Sequence, residues 1–202
     1  MDKKRCILCN KKAVVNLAYG PHVYCKKHFC EFFEKRVKRN VKKQKLGKFD
    51  KILVLLDDST NSNVLEYLLK FFHNEKKIKK IKLKTKDPWN YERLVIKKAK
   101  MFIKKEKCDK IFYASDINFE SCRILALLFS KNIPILDEKF ILPLSTSPYK
   151  EILLYAKFKG IKKGKKWHYP KFEKFLERVA KRNPSIWFNI LKAQGVLKKL
   201  AV

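Results

Sequence analysis

Residues 52–72, ILVLLDDSTNSNVLEYLLKFF, constrain the fold of this chain more than any other stretch. Ile52-Leu53-Val54-Leu55-Leu56 is an unbroken apolar run, the pattern of a parallel strand buried on both faces. A polar loop follows, Asp57-Asp58-Ser59-Thr60-Asn61-Ser62. Val64, Leu65, Leu68, Leu69 and Phe72 then recur at helical spacing. Strand, tight loop and helix together are where α/β proteins seat a phosphate, because the N–H groups at the helix start point at the anion. This loop has no glycine, which restricts close backbone approach. It also places two carboxylates where a phosphate would sit, and like charges repel. The architecture of a nucleotide site is present while its chemistry is not.

The alternation continues downstream. Residues 78–84 alternate as a strand with one wet face, ended by Asp87-Pro88. Tyr91, Leu94, Val95, Lys98, Met101 and Phe102 make a helical stripe. Ile111-Phe112-Tyr113-Ala114 reads as a short buried strand, followed by the loop Ser115 to Asn118 and an apolar helix from Phe119 to Lys131. Ile133 to Leu136 and Phe140 to Leu142 read as final strand pieces. Strands alternating with helices of this length predict a parallel sheet with helices on both faces over residues 51–147. Cys108 and Cys122 read as small buried hydrophobes rather than a redox or cluster pair. No Gly-x-Gly-x-x-Gly, Walker loop or His-Glu-x-x-His occurs.

Cys6-x2-Cys9-x15-Cys25-x2-His28 is the most specific motif. Two short-spaced ligand pairs on either side of a connecting stretch are the pattern of a structural zinc site. Four protein ligands close such a site, so the expectation for residues 1–29 is a knuckle holding one zinc without catalysis. His22 and Cys30 are spare candidate ligands. A connecting helix over residues 30–50 follows. Phe29, Phe32, Phe33, Val37 and Val41 form its apolar stripe, and Gly47 is a plausible stop. Its Lys- and Arg-rich face reads equally as a nucleic-acid contact or as a solvated surface.

Charge sets the class of partner. Fifty Lys and Arg stand against nineteen Asp and Glu, a formal +31, which favours polyanions and nucleic acid first. A lysine-rich proteome is the plainer alternative, but that background raises Glu along with Lys. No apolar run is long enough to span a membrane, and MDKKRC lacks the apolar core of a signal peptide, so a cytoplasmic protein is expected. Residues 148–202 form a helical basic extension. A helix opens at Ser147-Pro148 and runs to about Lys159, a flexible segment with Trp167 and Tyr169 follows, and two helices carrying Phe172 to Val179 and Trp187 to Leu191 end the chain. Lysines neutralise phosphates and rings stack on bases. Lys159, Lys162, Lys163, Lys165 and Lys166, continued by Lys181 and Arg182, are therefore the candidate RNA contacts.

The order of these parts resembles the PP-loop tRNA thiolation enzymes with an N-terminal zinc knuckle, which make 2-thiouridine in archaeal and eukaryotic tRNA and thiolate thermophile tRNA. Cys25-Lys26-Lys27-His28-Phe29 resembles the start of that family. Leu142-Pro143-Leu144, Pro148-Tyr149-Lys150-Glu151-Ile152, Tyr155-Ala156 and Lys159-Gly160-Ile161 resemble its Lys-Pro-Leu to Lys-Gly-Ile segment, and Phe188-Asn189-Ile190-Leu191 its Lys-Phe-Asn-Ile-Leu. The resemblance implies an adenine nucleotide alpha hydrolase-like fold of PP-loop type. The family's pyrophosphate loop, Ser-Gly-Gly-Lys-Asp-Ser, is replaced by Asp57 to Ser62, of which only Ser62 matches. Its Gly-His-Asn-Leu-Asp-Asp-Glu becomes Ala114 to Glu120, and Asp87 to Asn90 stand where a cysteine pair is expected. The resemblance therefore implies a partner subunit without a working loop, which binds tRNA and pairs with an active PP-loop thiolase. It expects neither ATP nor an iron–sulfur cluster. A divergent ATP-dependent tRNA sulfurtransferase and a free-standing zinc RNA-binding protein are the alternatives.

Overall fold

The computed structural model describes residues 5–20, 22–72, 77–83, 91–129, 136–167 and 170–200. Strand β1 (Val15–Asn16) pairs antiparallel with β2 (Val23–Tyr24) in a small ribbon. Helix α1 (Lys26–Lys43) leads from it to β3 (Ile52–Leu56), α2 (Thr60–Leu68), β4 (Ile78–Lys82) and α3 (Tyr91–Lys105). Then come β5 (Lys110–Tyr113), α4 (Ile117–Phe129), β6 (Phe140–Ile141), α5 (Tyr149–Lys159), α6 (Pro170–Arg182) and α7 (Ile186–Leu200).

Strands β3 to β6 form a parallel sheet in the order β4-β3-β5-β6. The continuous apolar run puts β3 inside it, and every residue of β3 is buried. Strand β4 lies at the edge with Lys79, Lys80 and Lys82 exposed, and such charges discourage pairing with another chain. Ile52, Val54, Leu56, Phe112 and Ile141 form one face, packed on α1, α2 and α5. Leu53, Leu55, Ile111, Tyr113 and Phe140 form the other, packed with Val95, Ile96, Ala99 and Ile103 of α3. Helix α4 joins α6 and α7 through Cys122, Leu176 and Trp187. The helices thus cover both faces, as expected.

Cys6, Val15, Leu17 and Tyr24 belong to the same buried cluster as α1 and the sheet, so the first residues share the main core. Gly47 does not stop α1. The helix ends at Lys43, where the Gln44 N–H turns back to Asn40 and Val41 carbonyls, and Gly47 instead donates its N–H to Asp50 at 2.7 Å. Gly160 does close α5, in the left-handed conformation at φ 67° that glycine adopts without strain. The strand piece expected at 133–136 lies outside the described residues except for Leu136. Asp87 to Asn90 and Tyr169 lie outside them as well. No helix among the described residues is long and apolar enough to cross a membrane.

Candidate functional site

The chain leaves β3 towards β4 on one side of the sheet, and β5 and β6 lie on the other. The crevice beyond the carboxyl ends of β3 and β5 is therefore the switch point where α/β folds place ligands. Ser59 caps α2, its Oγ accepting the Ser62 N–H at 3.1 Å. Asp57 Oδ1 accepts the Ser59 N–H at 2.8 Å, and Ser62 Oγ accepts the Asp57 N–H at 3.1 Å.

Residues 161–167, expected to be a flexible segment, run over this loop as a strap. Lys165 forms a parallel bridge with Ser59. Its N–H donates to Asp58 O at 2.9 Å, and its carbonyl accepts the Thr60 N–H at 3.1 Å. Thr60 Oγ1 accepts the Gly164 N–H at 3.0 Å and donates to the Gly164 carbonyl at 3.1 Å. A Cβ on Gly164 would stand 2.2 Å from Asp58 O and 2.7 Å from the Ser59 carbonyl carbon, both rigid backbone atoms, so only glycine fits. The glycine that permits close approach is thus in the strap and not in the loop. Trp167 Nε1 donates to Asp57 Oδ2 at 2.9 Å, and Lys165 Nζ pairs with Asp58 at 2.6 Å. The two carboxylates that looked misplaced for a phosphate hold the strap in its seat.

Across the crevice, Asn61 Nδ2 donates to Asp116 Oδ2 at 2.7 Å, and the Phe119 N–H donates to Oδ1 at 2.9 Å. Burial pushes the Asp116 carboxyl up to about 6, against these hydrogen bonds, which pull it down. Glu120 accepts from Ser115 Oγ and from Arg123 Nε and Nη2, the latter two at 2.9 and 2.6 Å, and all three residues are buried. Beyond the family segment, the sequence reading did not single out this network. Its signal was a Glu and an Arg three residues apart in an otherwise apolar helix.

The candidate RNA contacts fall into two groups. Lys159 pairs with Glu34 at 2.9 Å, Lys165 with Asp58, and Lys166 with the buried Glu173. Lys162, Lys163, Lys181 and Arg182 are exposed.

Cys6, Cys9, Cys25 and His28 come together as the sequence spacing requires, with their ligand atoms all within 4.8 Å of one another. Cys9 and Cys25 sulfurs are 3.7 Å apart, and His28 Nδ1 lies 3.4 and 3.5 Å from Cys6 and Cys25. Bonds of about 2.0–2.3 Å to a tetrahedral ion put ligands about 3.5–3.8 Å apart, so the quartet fits one such ion. Burial opposes ionisation of Cys6, but the Cys25 and Leu8 N–H groups and the His28 ring outweigh it and bring the thiol down to about 6. Cys30 is buried in the core and His22 stacks 6.1 Å from Tyr24, so neither joins the quartet. Tyr19 ties this region to the core, donating to Glu151 at 2.6 Å and accepting from Arg36 at 2.8 Å.

No protein-family profile matches the chain. Over 67 residues it is 34% identical to the tRNA-5-methyluridine(54) 2-sulfurtransferase of Pyrococcus horikoshii. It is 39% identical, also over 67 residues, to the Thermotoga maritima protein of the same name. Each match spans 33% of this chain and only 22% of the relative's length. The U34-tRNA thiolase NcsA from Methanococcus maripaludis, solved with its [4Fe-4S] cluster, superposes with a TM-score of 0.78 at 16% identity, over 98% of this chain and 88% of that one. The chain is similar to tRNA 2-thiolation proteins. The structural likeness establishes the PP-loop thiolase fold.

These findings correct one expectation. The missing cysteine pair at Asp87 to Asn90 was read as excluding an iron–sulfur cluster. A protein of this fold carries a [4Fe-4S] cluster, and this chain has a cysteine cluster of its own, so that exclusion fails. Tetrahedral sites rich in cysteine take zinc or iron with sulfur, so the ligand set does not select zinc alone.

Proposed function

We propose that this protein serves tRNA 2-thiolation as a non-catalytic subunit that holds tRNA beside an active PP-loop thiolase. The observation that carries this reading is the strap seated on the loop. A pyrophosphate at the start of α2 needs free backbone N–H groups. Here the Thr60 N–H is bonded to Lys165 and the Ser62 N–H to Ser59. The two curated relatives act on tRNA by name, and a formal +31 suits a polyanion. Lys162, Lys163, Lys181 and Arg182 are the members of the candidate RNA set that are exposed and pair with no carboxylate among the described residues. Cys6, Cys9, Cys25 and His28 hold a metal that braces the N-terminal ribbon, and elemental and sulfide analysis of anaerobically purified protein identifies it.

The test is a tRNA thiolation assay with this chain alone, with an active thiolase subunit alone, and with both. Activity is expected only where the active subunit is present, and stimulation by this chain is expected there. Thiolation by this chain alone would replace the proposal with a divergent sulfurtransferase.

A further inference from the structure

A cavity of about 300 Å³ lies between α1 and the loop that follows β6, lined by Phe32, Lys35, Arg36, Arg39, Lys43 and Thr146. Lys35, Arg39 and Lys43 recur every fourth residue along one side of α1, and all three are exposed. None of them pairs with a carboxylate among the described residues. Arg36 differs. Its guanidinium is anchored by Glu151 at 2.5 Å and by the Tyr19 hydroxyl at 2.8 Å, and it lies 5.1 Å from the Phe32 ring centre. Glu151 balances its charge and leaves a fixed plane against an aromatic ring. Asn40 fastens the opposite wall, donating to the Leu142 and Pro143 carbonyls at 2.8 and 2.9 Å.

The lining also contains polar atoms without partners. Five buried side-chain polar atoms lack a hydrogen bond among the described residues. Two of them, Arg36 Nε and Thr146 Oγ1, belong to residues that line this cavity, and a third, Ser147 Oγ, is on the next residue. Native proteins keep few such groups, and a cluster of them beside a cavity marks a place where something else supplies the bond. The volume is at the small end of ligand pockets, the size for one ring and its sugar rather than a duplex. Successive cations stand about 6 Å apart along the helix, on the scale of neighbouring phosphates in an extended strand. An acidic peptide would use the cations but has no need of a guanidinium–aromatic plane.

We propose that this cavity takes one unpaired nucleotide of a single-stranded RNA segment. The base stacks on the cavity side of the Arg36 guanidinium, which Phe32, itself stacked on Tyr24 at 5.1 Å, backs from the other side. Thr146 Oγ1 bonds its edge, and the flanking phosphates lie on Lys35, Arg39 and Lys43. Single-stranded RNA is recognised this way, by stacking on rings and guanidinium planes with cations along the backbone. The proposal extends the reading of this protein as a tRNA holder and needs no partner subunit.

The test is fluorescence-anisotropy binding of an unstructured uridine hexamer, and separately of tRNA, to the full chain across a salt series. Lys35→Ala with Arg39→Ala and Lys43→Ala is expected to lower the salt slope of hexamer binding by about two. Phe32→Leu is expected to weaken binding about tenfold with the slope unchanged, because stacking carries no counterion release. Thr146→Val, which leaves the ring and the cations in place, serves if Phe32→Leu fails to fold and is expected to weaken binding a few-fold. Full affinity in Phe32→Leu and Thr146→Val would overturn the pocket and leave a general basic face. Uridine monophosphate binding as tightly as the hexamer would replace RNA with a free nucleotide. Unchanged tRNA and hexamer binding by the triple variant would end this proposal while leaving the tRNA-holder reading standing. No tRNA binding by the wild-type chain would end both.

Discussion

Lys159, Lys165 and Lys166, in and beside the strap, each hold a carboxylate of the same chain, whereas Lys35, Arg39 and Lys43 of α1 hold none among the described residues. Both regions read in the sequence as basic runs with aromatics nearby, and the strap had the higher lysine density. The difference teaches that a cationic run is a footprint for a polyanion only where the fold leaves it unpaired. Glu34 of α1 meets Lys159 at the end of α5, and Asp58 and Glu173, few among so many cations, are placed against the strap. There they help hold a backbone segment over the loop at the start of α2. On α1, Lys35, Arg39 and Lys43 meet no carboxylate among the described residues, and their charge remains directed at solvent and at the cavity beside it.

The largest effect is expected from removing a ligand of the quartet. Cys25→Ser should release the metal and, because Cys6 and Tyr24 share a core with α1, cost on the order of 4 kcal/mol. Metal content and thermal melting measure this. The comparison sharpens if hexamer binding is lost while the strap remains seated, since Tyr19 carries the ribbon's hold on Arg36.

Asp116 is held by Asn61 of α2 across the crevice, and its carboxyl is raised from 3.8 to about 6 by burial. Between these values the folded state binds more protons than the unfolded state. Stability should therefore fall as pH rises from about 4 to about 6, by roughly 3 kcal/mol in total, and stay flat above. In Asp116→Asn, urea midpoints should lose most of that slope. A slope that persists would assign it to other groups.

Gly164→Val should lift the strap, at a cost of about 1–3 kcal/mol, because its Cβ meets Asp58 and Ser59 backbone that cannot move aside. Amide exchange at Thr60 should then quicken, and Trp167 fluorescence should report a wetter indole. If ATP binds only after this change, the strap is a plug on a competent loop. If ATP still does not bind, the loop itself is the defect.

The smallest effect separates the two basic regions directly. Replacing Lys162, Lys163, Lys165 and Lys166 with Ala should lower the salt slope for tRNA by about 1.5, against about 2.5 for the α1 triple on the same tRNA, because two of the four already pair within the chain. Equal slopes would break the comparison.

By itself the sequence determined the parts whose information is local. The apolar run of β3, the helical stripe of α1 and the Cys/His spacing each follow from neighbours a few residues apart, and each appears where expected. Tertiary structure alone decided the fate of the loop from Asp57 to Ser62. Trp167 reaches Asp57 from 110 residues away, and Gly164 meets the backbone of Asp58 only because α5 ends beside α2. Which cations stay free was decided at the same level. Lysines in the strap and on α1 are alike in sequence, and an ion pair forms only where the fold brings a carboxylate within about 4 Å.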